Sequence, residues 1–141
     1  MDIPADFEPL ERLRTSPYLE RVGPLYFKRE GNTLVLALRV DKTHANARGS
    51  AHGGLLLTLA DVALGYQLAF SVDPPAGATT VGMSADFLGG AQVGDWVEAR
   101  VDTHQLGARM AFANAYLTVD GKRIARVSGV FLRADSFSPA R

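Results

Sequence analysis

One segment constrains the fold more than any other: the 18 residues from Gly53 to Phe70, which read GGLLLTLADVALGYQLAF. Small and polar residues precede this segment, and the breaker sequence DPPAG follows it at residues 73–77, so we predict a helix that starts near Gly53 and ends near Ser71. The helix is apolar nearly all round and must therefore be buried on most sides. We expect it to be too short and too polar for a membrane span, because three polar residues interrupt it: Thr58, Asp61 and Gln67.

Alternating apolar and polar residues predict six β-strands around this helix. Two strands precede the helix and four follow it, and the dipeptides Gly31-Asn32 and Asp120-Gly121 are typical of tight hairpin turns. The predicted strands are Leu25–Glu30, Thr33–Val40, Thr79–Phe87, Asp95–His104, Met110–Val119 and Lys122–Arg133. One long helix and a run of hairpins predict an α+β fold in which an antiparallel sheet wraps around the central helix.

The N-terminal residues predict a further short helix from Ala5 to Arg14. Phe7, Leu10 and Leu13 fall on one face of it. Pro17 is then expected to act as a helix breaker.

Composition limits the possible functions. A chain of 141 residues is enough for one domain, 1–141, and 47% hydrophobic with 21% charged residues is typical of a globular protein. Basic and acidic residues number 15 each, so the net charge is zero, which argues against nucleic acid as a partner. The absence of cysteine excludes disulfides, thiolate metal sites and a catalytic cysteine. Since the N-terminus lacks the apolar core of a signal peptide, we expect a cytoplasmic protein that binds no membrane.

Asp61 is the unusual residue of the apolar helix, because a buried carboxylate without partners is costly. It shares one helix face with Gly54, Thr58 and Gly65, at spacings of four, three and four residues. Glycine inside a helix costs up to about 1 kcal/mol relative to alanine, so two glycines on this face indicate that another group approaches closely. A lone acid of this kind is more often structural, hydrogen-bonded to a loop or to Thr58, but its surroundings here favour a functional role.

The start of the helix is the second functional candidate. The chain enters it through SAHGG, residues 50–54, where unpaired backbone N–H groups meet the positive end of the helix dipole. Such a terminus can hold a developing oxyanion. Asp61 lies about two turns, or roughly 12 Å, along the helix from Gly53. One chain therefore does not bring the two together, whereas a symmetric dimer can place Asp61 of one chain beside Gly53 of the other.

A strand with one apolar face supports the expectation of a dimer. In Thr79–Phe87, alternation places four apolar residues on one side: Val81, Met83, Ala85 and Phe87. We predict that this strand pairs with its symmetry mate, which would remove an exposed sheet edge.

These residues together carry a family resemblance. The sequence NARGSAHGG, residues 46–54, followed by TLAD, residues 58–61, resembles the hotdog-fold thioesterases, and within them the branch typified by the phenylacetate-pathway acyl-CoA thioesterase. The stretches ADFLGGAQVGD and QLGARMAFANAYLTVDGKRIARVSGVFL also fit, and the element order agrees over nearly the whole chain. The resemblance implies hydrolysis of an acyl-CoA thioester to free acid and coenzyme A, with no cofactor other than the coenzyme A of the substrate. It also implies a homodimer or a dimer of dimers.

The resemblance implies a role for individual residues. Asp61 matches the helix carboxylate that acts as general base or nucleophile, and the Gly53 N–H matches the group that polarises the thioester carbonyl. His52 and Asn46 match side chains that position the thioester or the water, and they lie across the dimer interface from the acid. Thr80 lies near where some relatives carry a hydroxyl that helps hold the water. In the family, the acyl group enters the dimer interface and coenzyme A lies over the surface.

One departure concerns the phosphates of coenzyme A. Many relatives have Arg-Pro after the DFL segment, whereas this chain has Gly89-Gly90. Arg109 or Arg48 could supply the missing phosphate contact. Together with Gly54 and Thr80, these two arginines make up the candidate substrate-binding residues: Gly54, Thr80, Arg48 and Arg109.

Alternatives remain open at this point. A hotdog dehydratase or hydratase would need a histidine paired with an acid, but the proline-rich dehydratase signature is absent. A noncatalytic acyl-CoA-binding hotdog protein usually carries a DNA-binding domain, for which this chain has no spare length. His52 could have only a capping role and Asn46 could only shape a turn, while His44 and His104 are expected in loops or on the surface. No spacing of His, Asp and Glu suggests a metal site, and the acyl group cannot be read from the sequence.

Overall fold

Seven antiparallel strands wrap around one long helix in the computed structural model, which describes residues 2–134. The strands are β1 (Glu8–Pro9), β2 (Leu25–Glu30), β3 (Thr33–Arg39), β4 (Ala78–Phe87), β5 (Trp96–Leu106), β6 (Met110–Val119) and β7 (Lys122–Arg133); the helices are α1 (Pro17–Val22) and α2 (Gly53–Phe70). The strand order is β1-β2-β3-β5-β6-β7-β4, which leaves one side of β4 unpaired. The α+β fold, the central helix and the six strands are confirmed, with ends displaced by at most two residues.

The core lies between α2 and the concave face of the sheet. Strands β3 to β7 all contact α2, and Leu59 and Leu64 of the helix have no exposed surface. Gly129 on β7 allows this close approach, because a Cβ atom there would lie 2.7 Å from the ring of Phe131 and 3.1 Å from Leu64. The helix α2 was expected to be too short and too polar for a membrane span, but by length and composition alone it could cross a membrane. Half of it is buried inside the protein, as is typical of a core helix.

A buried amide fixes the position of α2 along the sheet. The Gln67 side chain is 4% exposed, its Oε1 accepts a hydrogen bond from the Leu34 N–H at 2.8 Å, and its Nε2 donates to the Asn32 carbonyl at 3.0 Å. Both partners belong to the β2–β3 hairpin. Because an unpaired buried amide would be costly, these bonds set the register between helix and hairpin.

The predicted helix from Ala5 to Arg14 is wrong. That segment forms β1 and a short 3₁₀ turn, and the helix α1 begins instead at Pro17, the residue expected to break it. Ser16 caps α1 by accepting a hydrogen bond from the Leu19 N–H at 3.3 Å, and proline is well tolerated at the first helical position.

The N-terminal segment wraps around the edge of the sheet, which explains why it is not helical. Phe7 packs on the outer face against Val35 and Ala37, with its ring edge-on to Trp96 at 5.1 Å, while Leu10 joins the core on the inner face. A helix would have kept Phe7 and Leu10 on one side. As a result β3 is buried on both faces.

A β-bulge in β4 changes which of its residues face the helix. The register shifts between Thr80 and Gly82, which leaves Val81 as an extra residue. Thr80 pairs with the buried Phe131 and so points toward the inner face, whereas Val81 is 60% exposed. The prediction that Val81 lies on the apolar face is therefore wrong, because the bulge reverses the alternation. The other three predicted inner residues, Met83, Ala85 and Phe87, pair with inward-facing residues of β7.

Candidate active site

Asp61 lies on the side of α2 that the sheet leaves uncovered, and its side chain is half-buried. Its Oδ1 accepts a hydrogen bond from the Thr80 hydroxyl at 2.6 Å. The bulge at Val81 makes this contact possible, since it turns Thr80 toward the helix. Thr58 does not hold the acid, because its hydroxyl donates to the Gly54 carbonyl at 3.0 Å. Within residues 2–134 the second carboxylate oxygen of Asp61 makes no hydrogen bond, so it can act on a molecule in the adjoining cavity.

His52 is the N-cap of α2, and its side chain is exposed. Its Nδ1 accepts a hydrogen bond from the Gly54 N–H at 2.9 Å, so a neutral ring carries its proton on Nε2. A Cβ atom at Gly54 would lie 3.1 Å from this Nδ1, tighter than most Cβ contacts. The glycine at position 54 therefore leaves room for the cap, and the Nε2–H of His52 stays available to a ligand.

The N–H of Gly53 is the free donor of the first helical turn. The neighbouring N–H groups are used: His52 donates to the His44 carbonyl, Gly54 donates to the His52 ring, and Leu55 donates to the His52 carbonyl. Within the described residues the Gly53 N–H has no acceptor. It lies at the positive end of an 18-residue helix, where an anionic oxygen is stabilised.

Asn46 shapes the loop that leads into α2. Its Oδ1 accepts hydrogen bonds from the Arg48 N–H at 2.9 Å and the Ser50 N–H at 3.2 Å. Gly49 completes the turn with a φ of 83°, which favours glycine. The structural interpretation of Asn46 as a turn residue is thus confirmed. A binding role is compatible with it, because the Nδ2 donors of Asn46 have no partner in residues 2–134.

The structure does not bring all the candidate residues together in one protomer. Thr80 lies beside Asp61, whereas Phe87, at the other end of β4, lies beside Gly53, where an added Cβ atom would be 3.5 Å from its ring. Strand β4 thus runs along α2 from the acid to the helix start. Eight residues of helix separate Gly53 from Asp61, which is roughly 12 Å. The acid and the free N–H therefore lie at two separate places on each chain, which we call half-sites.

Two cavities adjoin Asp61. One of about 360 Å³ lies between α2 and β4 and includes Thr80 and Phe131 in its lining. The other, which we call the acid groove, has about 590 Å³ and lies between α2 and the N-terminal segment 14–19. Tyr66 and Arg14 border both cavities, and the Tyr66 hydroxyl donates to the Arg14 carbonyl at 3.0 Å. Burial raises the pKa of the Tyr66 hydroxyl, so it remains a neutral donor near pH 7.

The two arginines proposed for phosphate binding lie far apart. Arg48 is exposed in the turn shaped by Asn46, close to the start of α2. Arg109 is exposed in the β5–β6 turn, beside the end of β7 and thus near the C-terminal end of α2, because α2 and β4 run in opposite directions. The two arginines therefore cannot bind the same phosphate of one ligand within a single chain. Gly89 lies in a bend just after β4, and its N–H donates to the Ile124 carbonyl of β7 at 3.0 Å.

Sequence reasoning missed three residues near the site. Tyr18 and Tyr66 line the acid groove, and no pattern in the sequence distinguishes them from ordinary packing residues. His44 was expected in a loop or on the surface; it lies in the connection between β3 and α2, but it is only 5% exposed, and its Nδ1 accepts from the Asp41 N–H while its Nε2 bonds the Val22 carbonyl. Asp41 and His44 form an Asp-x-x-His capping box, and this spacing in the sequence could have indicated that the His44 side chain is hydrogen-bonded. In the described part of the chain, no three His, Asp or Glu side chains are grouped to hold a metal ion.

Comparison with known proteins identifies related sequences over this region. A family model described as the thioesterase superfamily matches residues 48–124, which include Gly53, Asp61 and Thr80. The Pseudomonas aeruginosa protein named "Putative esterase PA0474" is 49% identical over 132 residues, which is 93% of this chain and 97% of that protein. Acyl-coenzyme A thioesterase 13 of Mus musculus is 28% identical over 95 residues, or 66% of this chain and 67% of that protein.

A solved structure has the same fold. A mutant of the phenylacetic acid degradation protein PaaI from Thermus thermophilus superposes with a TM-score of 0.72 at 30% identity. The match covers 84% of this chain and 100% of that one.

Substitutions of His52 separate its capping role from a binding role. We expect His52→Ala to lower the free energy of unfolding by about 1 kcal/mol, because the Gly54 N–H loses its acceptor. His52→Asn should restore most of this stability, since asparagine is a good N-cap, but it lacks a donor at the position of Nε2. Urea denaturation measures the stability of both variants.

The hydrolytic activity of the two variants then decides the role of His52. If Nε2–H positions the substrate, both variants lose activity although only His52→Ala loses stability. Full activity in His52→Asn would show that His52 only caps the helix.

Proposed function

Because the chain belongs to the thioesterase superfamily, we propose that it hydrolyses an acyl-CoA thioester to the free acid and coenzyme A. Family membership makes the chain a thioester hydrolase, and its sheet wrapped around α2 is the hotdog fold that the sequence predicts. Coenzyme A as the carrier is supported by the relative named acyl-coenzyme A thioesterase 13. Two observations support the mechanism: the second carboxylate oxygen of Asp61 and the Gly53 N–H have no hydrogen-bond partner in the described residues. A second chain would bring these two groups together.

The Gly53 N–H polarises the thioester carbonyl in this proposal. Among the N–H groups of the first turn it is the one without an acceptor in the described residues, so it can bind the carbonyl oxygen without breaking a bond of the protein. As the carbonyl carbon becomes tetrahedral, negative charge develops on that oxygen. The positive end of the α2 dipole stabilises this charge more than it stabilises the neutral substrate.

Asp61 acts on the other side of the carbonyl. As a general base it removes a proton from water, whose oxygen attacks the carbonyl carbon; the carbon–sulfur bond then breaks, and the thiolate takes up the proton. As a nucleophile, a carboxylate oxygen attacks first, and the carbon–sulfur bond breaks to release the thiolate and leave an anhydride. Water then cleaves the anhydride to the free acid and the Asp61 carboxylate, and the thiolate takes up the proton that this step releases. Thr80 holds Oδ1 at 2.6 Å and leaves the second oxygen free, a geometry that suits both routes.

His52 and Asn46 supply the remaining donors in this proposal. The Nε2–H of His52 and the Nδ2 donors of Asn46 are unused within residues 2–134, and both residues belong to the segment that leads into Gly53. They can therefore hold the thioester or the water beside the polarised carbonyl.

A symmetric dimer joins the half-sites. The free edge of β4 is ten residues long, and apolar side chains around it are exposed: Val81 60%, Phe87 49% and Leu88 66%. Pairing of two β4 strands would cover these side chains and satisfy the unpaired backbone groups. Each of the two sites would then take Asp61 and Thr80 from one protomer and Asn46, His52 and Gly53 from its partner.

The position of the histidines argues against a dehydratase. In residues 2–134 the one close contact between a histidine ring and a carboxylate joins His44 and Asp41 at 3.5 Å, and both nitrogens of that ring already make hydrogen bonds. Among the described residues no histidine ring pairs with Asp61. The second oxygen of Asp61 has no hydrogen-bond donor within residues 2–134, which supports a chemical role over a purely structural one.

Asp61→Asn tests the role of the acid. The substitution preserves the shape of the side chain and an acceptor for Thr80, but it removes the base and the nucleophile. We expect kcat to fall by at least about 10²-fold, the usual scale for loss of a general base. Thiol release from acyl-CoA measures kcat, and near-normal turnover in a folded Asp61→Asn protein would contradict the assignment.

Gly53→Pro tests polarisation by the backbone. Proline removes the N–H at a position where helices tolerate it, and the φ of −63° and ψ of 137° at His52 suit a residue before proline. We expect kcat to fall by about 10²–10³-fold, as for loss of one oxyanion donor. Gly53→Ala is the matched control, because it keeps the N–H and its Cβ meets Phe87 at an ordinary 3.5 Å. Equal activities of the two variants would remove the Gly53 N–H from the mechanism.

Mixing two inactive variants tests the shared site. We expect Asp61→Asn and His52→Asn proteins to regain activity after subunit exchange, because a mixed dimer contains one site with both native residues. Mass spectrometry of isotope-labelled subunits verifies the exchange. If exchange is complete and activity does not return, all site residues belong to one chain, provided that His52→Asn alone is inactive.

A further inference from the structure

Tyr18 stands against the uncovered side of α2, although no part of the proposed chemistry uses it. It lies on α1, its side chain is 61% exposed, and its hydroxyl is 3.0 Å from the Thr58 Oγ1. Because the Thr58 hydroxyl donates its hydrogen to the Gly54 carbonyl, the Tyr18 hydroxyl is the donor in this contact. An exposed tyrosine is thus tethered across the face of the helix that carries Asp61.

The Tyr18–Thr58 contact separates two cavities on that face. The acid groove, of about 590 Å³, extends from Asp61 to this contact. On the other side lies a cavity of about 340 Å³ at the start of α2, lined in part by His52 and Leu55. The two cavities have two lining residues in common, and these are Tyr18 and Thr58.

The acid groove is the better place for an acyl chain. It is larger than the cavity between α2 and β4, which has about 360 Å³, and its lining is more apolar. Within the groove, the end at Tyr66 is bordered by the charged Arg14, which disfavours an alkyl chain. The end at Tyr18 is bordered by Pro17, Leu19 and the tyrosine ring, so an acyl chain that starts at Asp61 is directed toward Tyr18.

We propose that Tyr18 determines the length of acyl chain that the protein accepts, with its ring forming the end wall of the acid groove. This inference rests on the proposed function, because it takes the thioester carbonyl to lie at Asp61. A chain that is shorter than the groove buries every methylene, whereas a longer chain meets the ring. Removing the ring joins the acid groove to the cavity at the start of α2 and gives the chain further space.

The expected effect can be measured as a break in KM. Each buried methylene contributes about 0.8 kcal/mol, so KM should fall about fourfold for every added carbon until the groove is full. Beyond that length KM stops falling. The test is a series of saturated acyl-CoAs from acetyl to lauroyl, with kcat and KM measured for each, and the chain length at the break is the readout.

Three variants of Tyr18 make the test sharp. Tyr18→Ala should move the break to longer chains, Tyr18→Trp should move it to shorter chains, and Tyr18→Phe should leave it in place. A merely structural role of Tyr18 could not move the break in opposite directions for alanine and tryptophan. Gly65→Ala, which adds a Cβ atom to the cavity on the β4 side at 3.7 Å from Phe131, should not move the break.

The inference would be overturned if the chain length at the break were unchanged in both Tyr18→Ala and Tyr18→Trp. It would also be overturned if Gly65→Ala moved the break. Free fatty acids of the same chain lengths provide a second measurement that does not depend on hydrolysis. Their Kd values, measured by calorimetry, should stop falling at the same chain length. Failure of the proposed function would give a different result, because the wild-type protein would then release no thiol from any acyl-CoA. The Kd values of the fatty acids would still show whether Tyr18 limits the chain length that the acid groove accepts.

Discussion

Burial of α2 against the sheet is the constraint on which the rest of the structure depends. The helix is apolar nearly all round, and five strands cover one side of it so closely that a methyl group at Gly129 would not fit. The sheet cannot cover the other side, because its edges end at β1 and β4. Asp61 lies on that open side, where a carboxylate remains in contact with water and avoids the cost of full burial. The same packing that stabilises the fold thus leaves a rigid polar site on an otherwise apolar helix.

Small departures from regular structure then position the functional groups. One extra residue at Val81 turns Thr80 toward Asp61, which the regular alternation of a strand would not do. At the start of α2, the absence of a side chain at Gly54 lets His52 fold back as a cap. The cap satisfies the Gly54 N–H and leaves the Gly53 N–H without an acceptor among the described residues. The bulge requires one extra residue and the cap requires one glycine. Both features therefore depend more on local backbone geometry than on the packing of the hydrophobic core.

Whether a feature could be predicted from the sequence depends on how far apart in the chain its interacting residues lie. The strands from Leu25 onward and α2 were predictable because their patterns of burial are local and strong. The N-terminal segment was not, since Phe7 and Leu10 pack on opposite faces of the sheet and only the tertiary structure separates them. The contact of Thr80 with Asp61 could not follow from alternation, because a bulge leaves no clear signal in one sequence. The acid groove beside Asp61 is likewise a product of packing between α1 and α2, elements that lie 30 residues apart in the chain.

The separation of Asp61 from Gly53 along one helix has a physical reason of its own. A carboxylate in the first turn of α2 would accept a hydrogen bond from the Gly53 N–H and would be stabilised by the dipole. In the proposed mechanism it would then occupy the donor meant for the thioester oxygen, and it would place a negative charge where the proposed reaction develops one. Two turns of helix prevent this contact within a chain, since the helix holds the groups roughly 12 Å apart. Delivery of the acid from a second chain can instead place it on the far side of the carbonyl, opposite the N–H. A rigid helix that carries both groups therefore favours a site built by two chains over a site built by one.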